Sequence, residues 1–311
     1  MELIRGLHNL KNQTGCALTI GNFDGVHVGH QEIIKKLVST AKKLNLPSLV
    51  VSFSVTPESF FGRPKARLSS FRDKHLYLKS LGVDKHLLIR FNKSFSQISA
   101  HSFIEDVLVK KIKAKYCYVG DDFRFGKDRL GDCNMLQEHS IDHGFTVEIV
   151  DGVGIDNQRV SSSAIRKLLS SGDFQTAEKL LGRPFAISGR VAHGDKQGRT
   201  IGFPTANISI RRKLSPVLGV FSVLIRINNI TYKGVCNVGK RPTLGGLKVL
   251  LEVFIFDFNQ EIYGSRVNVF FKQKCREEIK FNSLEELKNQ IKKDVKKSKQ
   301  YFQDARIDQS I

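Results

Sequence analysis

The chain has 311 residues, 41% hydrophobic and 26% charged, with a formal charge of +20 and five cysteines. That length exceeds one ordinary core and favours two domains. No apolar run approaches the ~20 residues needed to cross a bilayer, and the scattered thiols (Cys16, Cys117, Cys133, Cys236, Cys275) offer no zinc or disulfide framework. The N-terminal "MELIRGLHNLKNQ" is interrupted by charge and has no signal-peptide apolar stretch, so a cytoplasmic protein is expected. The positive charge narrows the partners to anions. The densest lysine run, "KNQIKKDVKKSKQ", has no interleaved aromatics and reads as a solvated helical face rather than a nucleic-acid patch. Neither nucleic acid nor a membrane is an expected partner.

In chain order, "ALTIG" reads as a strand and "HQEIIKKLVSTAKKL" as a helix, with Ile33, Ile34, Leu37, Val38 and Ala41 at helical spacing. "SLVVSFS", "HLLIRF", "YCYVG" and "FTVEIV" continue the strands, separated by helix-like segments. Five continuous apolar strands with four helices between them predict a parallel sheet covered on both faces, a Rossmann-like α/β domain. Such sheets bind ligands outside the carboxyl ends of their strands.

"GNFDGVHVGH" follows the first of these strands. His27 and His30 lie one turn apart at a predicted helix start, where backbone N–H groups and the helix dipole favour an anion. Imidazoles so placed suit the stabilisation of a phosphate under displacement. Gly21, Phe23, Asp24 and Gly25 precede them as candidate nucleotide contacts. "YVGDDFRFGKDRLGD" is a second glycine-rich loop after a strand, in which Asp122 offers an acceptor to a ribose or adenine and Arg124 a partner for phosphate. "VSSSAIR" sets Ser162 and Ser163 at a helix start with Arg166 one turn on, a third anion site.

From Ala186 onward the runs are short, β-rich and broken by glycine, proline or asparagine: "FAISGRVA", "GVFSVLIRI", "ITYKGVCNVG", "VLLEVFIFDF" and "RVNVFFKQK". Five or six strands without intervening helices predict an antiparallel barrel, with a C-terminal helix opened by a Ser283–Glu286 capping pattern. "AHGDKQGRTIGFPTANI" is too glycine-rich and polar for a strand interior. It is neither a Walker-type loop nor G-x-G-x-x-G. Thr205 and Asn207 point the same way on an extended chain and offer two neutral oxygens to a magnesium ion shared with ATP phosphates. Glu252 shares a face with Phe254, Phe256 and Phe258; burial there would raise its pKa and suit a general base. The expected domains are 1–183 and 184–311.

With these residues in view, the chain resembles the bacterial bifunctional riboflavin kinase/FMN adenylyltransferase family over nearly its whole length. "GNFDGVHVGH", "VGDDFRFG" and "VSSSAIR" resemble the adenylyltransferase half. "HGDKQGRTIGFPTAN", "NVGKRPT", "LEVFIFDF", "YG" and "REEIKFNSLEELKNQI" resemble the kinase half. The resemblance implies ATP-dependent phosphorylation of riboflavin to FMN, with Glu252 as base and Thr205 and Asn207 near Mg2+. It then implies adenylylation of FMN to FAD, with His27 and His30 at the α-phosphate and Ser162, Ser163 and Arg166 holding phosphates. Gly194, Gly198 and Arg199 join the nucleotide-binding candidates. One segment departs from the family: "FSVTPESFF" keeps Pro57, whereas Ser54, Val55 and Thr56 replace an acidic residue and the first proline of a P-x-P pattern on the flavin side. The alternative expectation is therefore a riboflavin kinase with an impaired adenylyltransferase site.

Overall fold

The computed structural model describes residues 1–11, 14–193, 202–210, 212–243 and 246–304. The chain forms two compact units, Met1–Lys65 with Phe71–Ser161, and Ala66–Ser70 with Ser162–Ile311.

The first unit is built on six parallel strands: β1 (Glu2–Arg5), β2 (Cys16–Ile20), β3 (Ser48–Phe53), β4 (Lys85–Ile89), β5 (Ala114–Gly120) and β6 (Thr146–Val150), in the order β1-β4-β3-β2-β5-β6. Sequence reading found five of them. The sixth, β1, is a four-residue edge strand with one buried side chain, Ile4, too short to show a pattern; it pairs with β4 from Glu2↔Lys85 to Arg5↔Leu88.

Strand residues alternate between two cores. Leu18, Ile20, Leu49, Val51, Leu87 and Val119 join one cluster, and Ala17, Val50 and Tyr118 the other. The second face is covered by α1 (Val28–Lys43), whose Ile34, Leu37, Val38 and Ala41 follow the helical stripe. The remaining helices are α2 (Pro57–Phe60), α3 (Phe71–Ser80), α4 (Lys93–Ser96), α5 (Ala100–Ser102, continuing as a π-type helix Phe103–Ile112) and α6 (Cys133–Asp142). The chain runs from β2 outward through β3 to β4, then crosses back to β5 on the other side of β2. This reversal makes the carboxyl ends of β2 and β5 the crevice of the sheet. A short hairpin, β7 (Gly154–Ile155) with β8 (Gln158–Arg159), ends the unit.

The second unit opens with α7 (Ser162–Ser171) and α8 (Phe174–Leu181). Six antiparallel strands then close a barrel: β9 (Ala186–Ala192), β10 (Thr205–Ser209), β11 (Gly219–Ile227), β12 (Ile230–Thr243), β13 (Gly246–Ile255) and β14 (Arg266–Arg276), in the order β10-β13-β12-β11-β14-β9. The longer segment "AHGDKQGRTIGFPTANI" reads as too glycine-rich and polar for a strand interior, and its end is a strand all the same. Thr205–Ser209 is β10, and its polar side chains are tolerated because they lie on the barrel's outer face. Phe174 packs at 5.8 Å on Phe221 and at 5.9 Å on Phe271.

The C-terminal helix α9 (Leu284–Asp304) covers an outer apolar patch of Leu224, Val235, Phe256 and Phe270 with its Phe302. Ser283 caps it, accepting from Glu286 N at 3.1 Å, while the Glu286 carboxylate reaches back to Asn282 N. The segment Ala66–Ser70 is pinned to this unit by Arg166, which donates to Ala66 O at 2.6 Å, and by Arg212, which donates to Arg67 O at 2.9 Å. Among the described residues no helix is long and apolar enough to cross a membrane, and all five cysteines are buried thiols without a disulfide.

Candidate active sites

In the first unit "GNFDGVHVGH" leaves β2 as a tight turn whose backbone is forced into the left-handed region. Phe23 (φ 45°), Gly25 (φ 82°) and Val26 (φ 41°) all have positive φ. Glycine adopts this freely; a phenylalanine and a β-branched valine do so at a cost of about 1–3 kcal/mol each, sustained only where surrounding contacts over-determine the backbone. Both side chains are buried, Phe23 to 2% and Val26 to 0% exposure. Their burial in the core beneath α1 offsets that strain.

The turn delivers His27 to the N-cap of α1, where its Nδ1 accepts from His30 N at 3.4 Å. The two imidazoles stack, centroids 3.6 Å apart and planes 17° from parallel, and the edge of Phe23 packs on His30. His30 Nδ1 and Asn22 Oδ1 are buried and have no hydrogen-bond partner among the described residues. Burial, His27 and Lys74 together hold the His30 imidazole well below its ordinary pKa, so it is neutral. A largely buried, stacked ring pair at a helix N-terminus, with His30 neutral, has N–H groups to donate to phosphate oxygens in a low dielectric.

Across the crevice, the loop after β5 carries Asp121, Asp122 and Arg124. Asp122 folds back over Gly120. Arg124 donates to Asp132 Oδ2 at 3.1 Å, with more than a third of each side chain exposed on average, so redirecting it to an anion costs little. Asp121 pairs with Arg159 of β8, which sequence reading passed over. Asp132 also caps α6 through Met135 N. Ser162, Ser163 and Arg166 belong to the second unit, where Ser162 and Ser163 open α7 and Arg166 grips Ala66 O.

The "FSVTP" segment is an ordered turn. Thr56 caps α2, accepting from Ser59 N at 3.3 Å, and Pro57 occupies its first turn. It presents Phe60 and Phe61, which are 38% and 63% exposed, against Phe91 at 5.5 and 6.0 Å. Phe53 and Phe95 back this aromatic face at the carboxyl ends of β3 and β4.

In the second unit the barrel register sets Asn207 of β10 directly opposite Glu252 of β13, and Glu252 opposite Asn237 of β12. Residues in register across neighbouring strands share a face, so the three form one polar row on the outer surface. Thr205, two residues from Asn207, stands opposite Phe254 on that face. The row borders the Phe254–Phe256 patch under α9. The shared face expected for Phe258 ends earlier, because the strand stops at Ile255 and Asp257 turns to φ 51°.

Asn237 and Glu278 are additions to the expected set. A Cβ on Gly239 would collide with the Glu278 carboxylate and lie 3.3 Å from Asn237 Nδ2, so the missing side chain leaves room for that carboxylate. Gly194, Gly198 and Arg199 lie outside the described residues. Among the described residues no cluster of three or more His, Cys, Asp or Glu is arranged to hold a metal. The Thr205 hydroxyl and Asn207 carbonyl are instead the hard oxygen donors that suit a divalent cation also held by substrate phosphates.

Comparison with known proteins agrees with this division. A family model described as FAD synthetase matches residues 9–164, and one described as riboflavin kinase matches residues 181–302. Proteins named bifunctional riboflavin kinase/FMN adenylyltransferase from Haemophilus influenzae and Escherichia coli K12 are 49% and 45% identical over 306 and 307 residues. Each alignment takes in 97% of this chain and 99% or 98% of the relative. A crystal structure titled as a macrolide-efflux protein from Streptococcus pneumoniae superposes with a TM-score of 0.78 at 32% identity, over 94% of this chain and 97% of that one.

Proposed function

The chain belongs to the bifunctional riboflavin kinase/FMN adenylyltransferase family, and on that premise we propose which residues carry its two reactions, riboflavin to FMN and FMN to FAD, each with ATP. The observation that carries the assignment is that each unit holds its own polar constellation, the His27–His30 turn in one and the Asn207–Glu252–Asn237 row in the other. Riboflavin, FMN, FAD and ATP are accordingly its substrates and products. The kinase-only alternative is not favoured, since relatives bearing the combined name align along almost all of the chain. The division proposed for the two functions is 1–183 and 184–311, whereas α7 and α8 (residues 162–181) pack with the second compact unit.

In the kinase reaction Glu252 accepts the proton of the terminal ribityl hydroxyl as its oxygen forms a bond to the γ-phosphorus of ATP and the bond to the ADP oxygen breaks. Asn207 and Asn237 flank that carboxylate and orient it. Thr205 and Asn207 would hold Mg2+ through their side-chain oxygens; Gly194, Gly198 and Arg199, the further expected nucleotide contacts, lie outside the described residues. When bound, the cation neutralises charge developing on the transferred phosphoryl group.

In the adenylyl transfer an FMN phosphate oxygen forms a bond to the α-phosphorus of ATP and pyrophosphate leaves. His27 and His30 donate N–H groups to the α-phosphate as its charge builds. Gly21, Phe23, Asp24 and Gly25 shape the backbone that admits the nucleotide. Asp122 takes the ribose or adenine, and Arg124 holds phosphate; Ser162, Ser163 and Arg166, the other expected phosphate contacts, lie in the second compact unit. The Phe60–Phe61–Phe91 face supplies the flat apolar surface that an isoalloxazine ring stacks on. Five reduced thiols fit the cytoplasm as its compartment.

Reciprocal variants test the assignment. Glu252→Gln should lower FMN formation about 10²–10⁴-fold and leave FAD formation from supplied FMN intact; His30→Ala should do the opposite. Loss of both activities in a folded Glu252→Gln protein would refute the two-site reading.

A further inference from the structure

The strained turn between β2 and α1 is gripped at both ends by side chains that the reactions above do not use. At its start Lys74, on α3, donates from Nζ to Asn22 O at 2.9 Å. At its end Gln31, on α1, donates from Nε2 to Val26 O at 2.9 Å. Between the two carbonyls lie all three positive-φ residues, Phe23, Gly25 and Val26.

Lys74 is an unusual buried residue. It is 8% exposed, on a helix that otherwise buries only Leu78. Lysine is almost never this buried unless paired, and desolvating an ammonium is costly. A backbone carbonyl at the mouth of a phosphate turn is a specific destination for it. The same cation acts on His30, whose buried Nδ1, like Asn22 Oδ1, has no hydrogen-bond partner among the described residues. It also acts on His86 of β4.

We propose that Lys74 and Gln31 are positioning residues for adenylyl transfer, a two-sided clamp that keeps the Asn22–Val26 turn strained in its ligand-ready form. The inference rests on reading that turn as the adenylyl-transfer site. Neither side chain has to touch substrate; each acts through a main-chain carbonyl. Lys74 adds a second effect that Gln31 lacks, because its charge lies near His30. The titratable groups acting on His30 are His27 on its own turn and Lys74 from α3; those acting on His86 are Lys74 and His75, both from α3.

The test uses the full chain carrying Lys74→Met, Lys74→Arg, Gln31→Met or His30→Ala. FAD formation from FMN and ATP and FMN formation from riboflavin are measured on the same preparation. Titration of the His30 ring is followed by NMR. Lys74→Met and Gln31→Met should each lower kcat for FAD formation about tenfold or more, with a smaller change in the KM for ATP and wild-type FMN formation. Lys74→Met should also move the His30 titration upward, while Gln31→Met and Lys74→Arg leave it in place.

If Lys74→Met fails to fold, Gln31→Met and Lys74→Arg decide. Wild-type kcat in Gln31→Met would then overturn the clamp, and a lowered kcat with an unmoved His30 titration upholds it. Wild-type kcat in both Met variants, with His30→Ala inactive, would overturn the clamp and keep the site. Full FAD formation by His30→Ala would instead overturn the site assignment itself.

Discussion

At the residue scale, burial decides which titratable groups control stability. His86 is fully buried on β4; its Nε2 lies 2.7 Å from Ser52 Oγ and its Nδ1 3.1 Å from His75 Nδ1, an arrangement that neutral rings satisfy. Burial first, then Lys74 and His75, press its pKa down to about 3, from 6.5 in the unfolded chain. Between those values the unfolded chain binds a proton that the folded protein refuses, so stability is full above about pH 6.5 and is lost as the pH falls toward 3. At pH 4.5 the loss from this one group is about 2–3 kcal/mol. Thermal unfolding of the full chain across that range should show the decline, and His86→Asn should flatten it. An equally steep decline in His86→Asn would assign the effect elsewhere.

The placement of His27 and His30 at a helix start and of Glu252 on a strand was legible from the sequence, because residue type and spacing carry it. Lys74 was not. One lysine in the charged stretch "FRDKHLYLKSLG" gives no sign that it is buried, since only the packing of α3 against the β2–α1 turn makes it so.

At the scale of elements, the barrel depends on how its last helix is attached. Arg276, at the end of β14, makes a fork with Asp294 of α9: Nε donates to Oδ1 at 3.0 Å and Nη2 to Oδ2 at 2.8 Å, and Asp294 is 5% exposed. Gln290 adds a bond to the same carboxylate, and Lys297 and Ser298 tie the helix to the carbonyls of Cys275 and Gly234. Asp294→Ala leaves a largely buried guanidinium without its partner and should cost about 3–5 kcal/mol. FMN formation should fall with it, because the segment carrying Glu278 follows Arg276 directly. Replacing both partners with apolar residues should recover much of the stability but not the activity, which a denaturant titration beside a kinase assay would show.

In the other unit, Phe60→Ala with Phe61→Ala should raise the KM for FMN about tenfold or more, the effect of ~1.5 kcal/mol or more of lost stacking, and leave FMN formation unchanged. An unchanged KM would remove the aromatic face from the flavin site. The parallel sheet and the barrel class were readable from period and punctuation. β1 and β10 were not, because an edge strand with one buried residue and a strand with a polar outer face both lack the apolar run that marks a strand.

At the scale of the whole molecule, 50 lysines and arginines against 30 acidic residues produce a field that acts on substrates before contact. ATP and FMN are anionic and riboflavin is neutral, so the field should steer three of the four substrate-binding events and not the fourth. Raising the salt from about 0.05 to about 0.5 M should therefore lower kcat/KM severalfold for ATP and FMN and hardly change it for riboflavin.

The central claim is that one chain carries both reactions on separate sites. Chromatographic separation of flavins over time, with wild-type chain, ATP and Mg2+, tests it most directly. Starting from riboflavin, FMN should appear first and FAD after it; starting from FMN, FAD should appear without delay. FMN that accumulates without any FAD, even when FMN is supplied, would contradict the account.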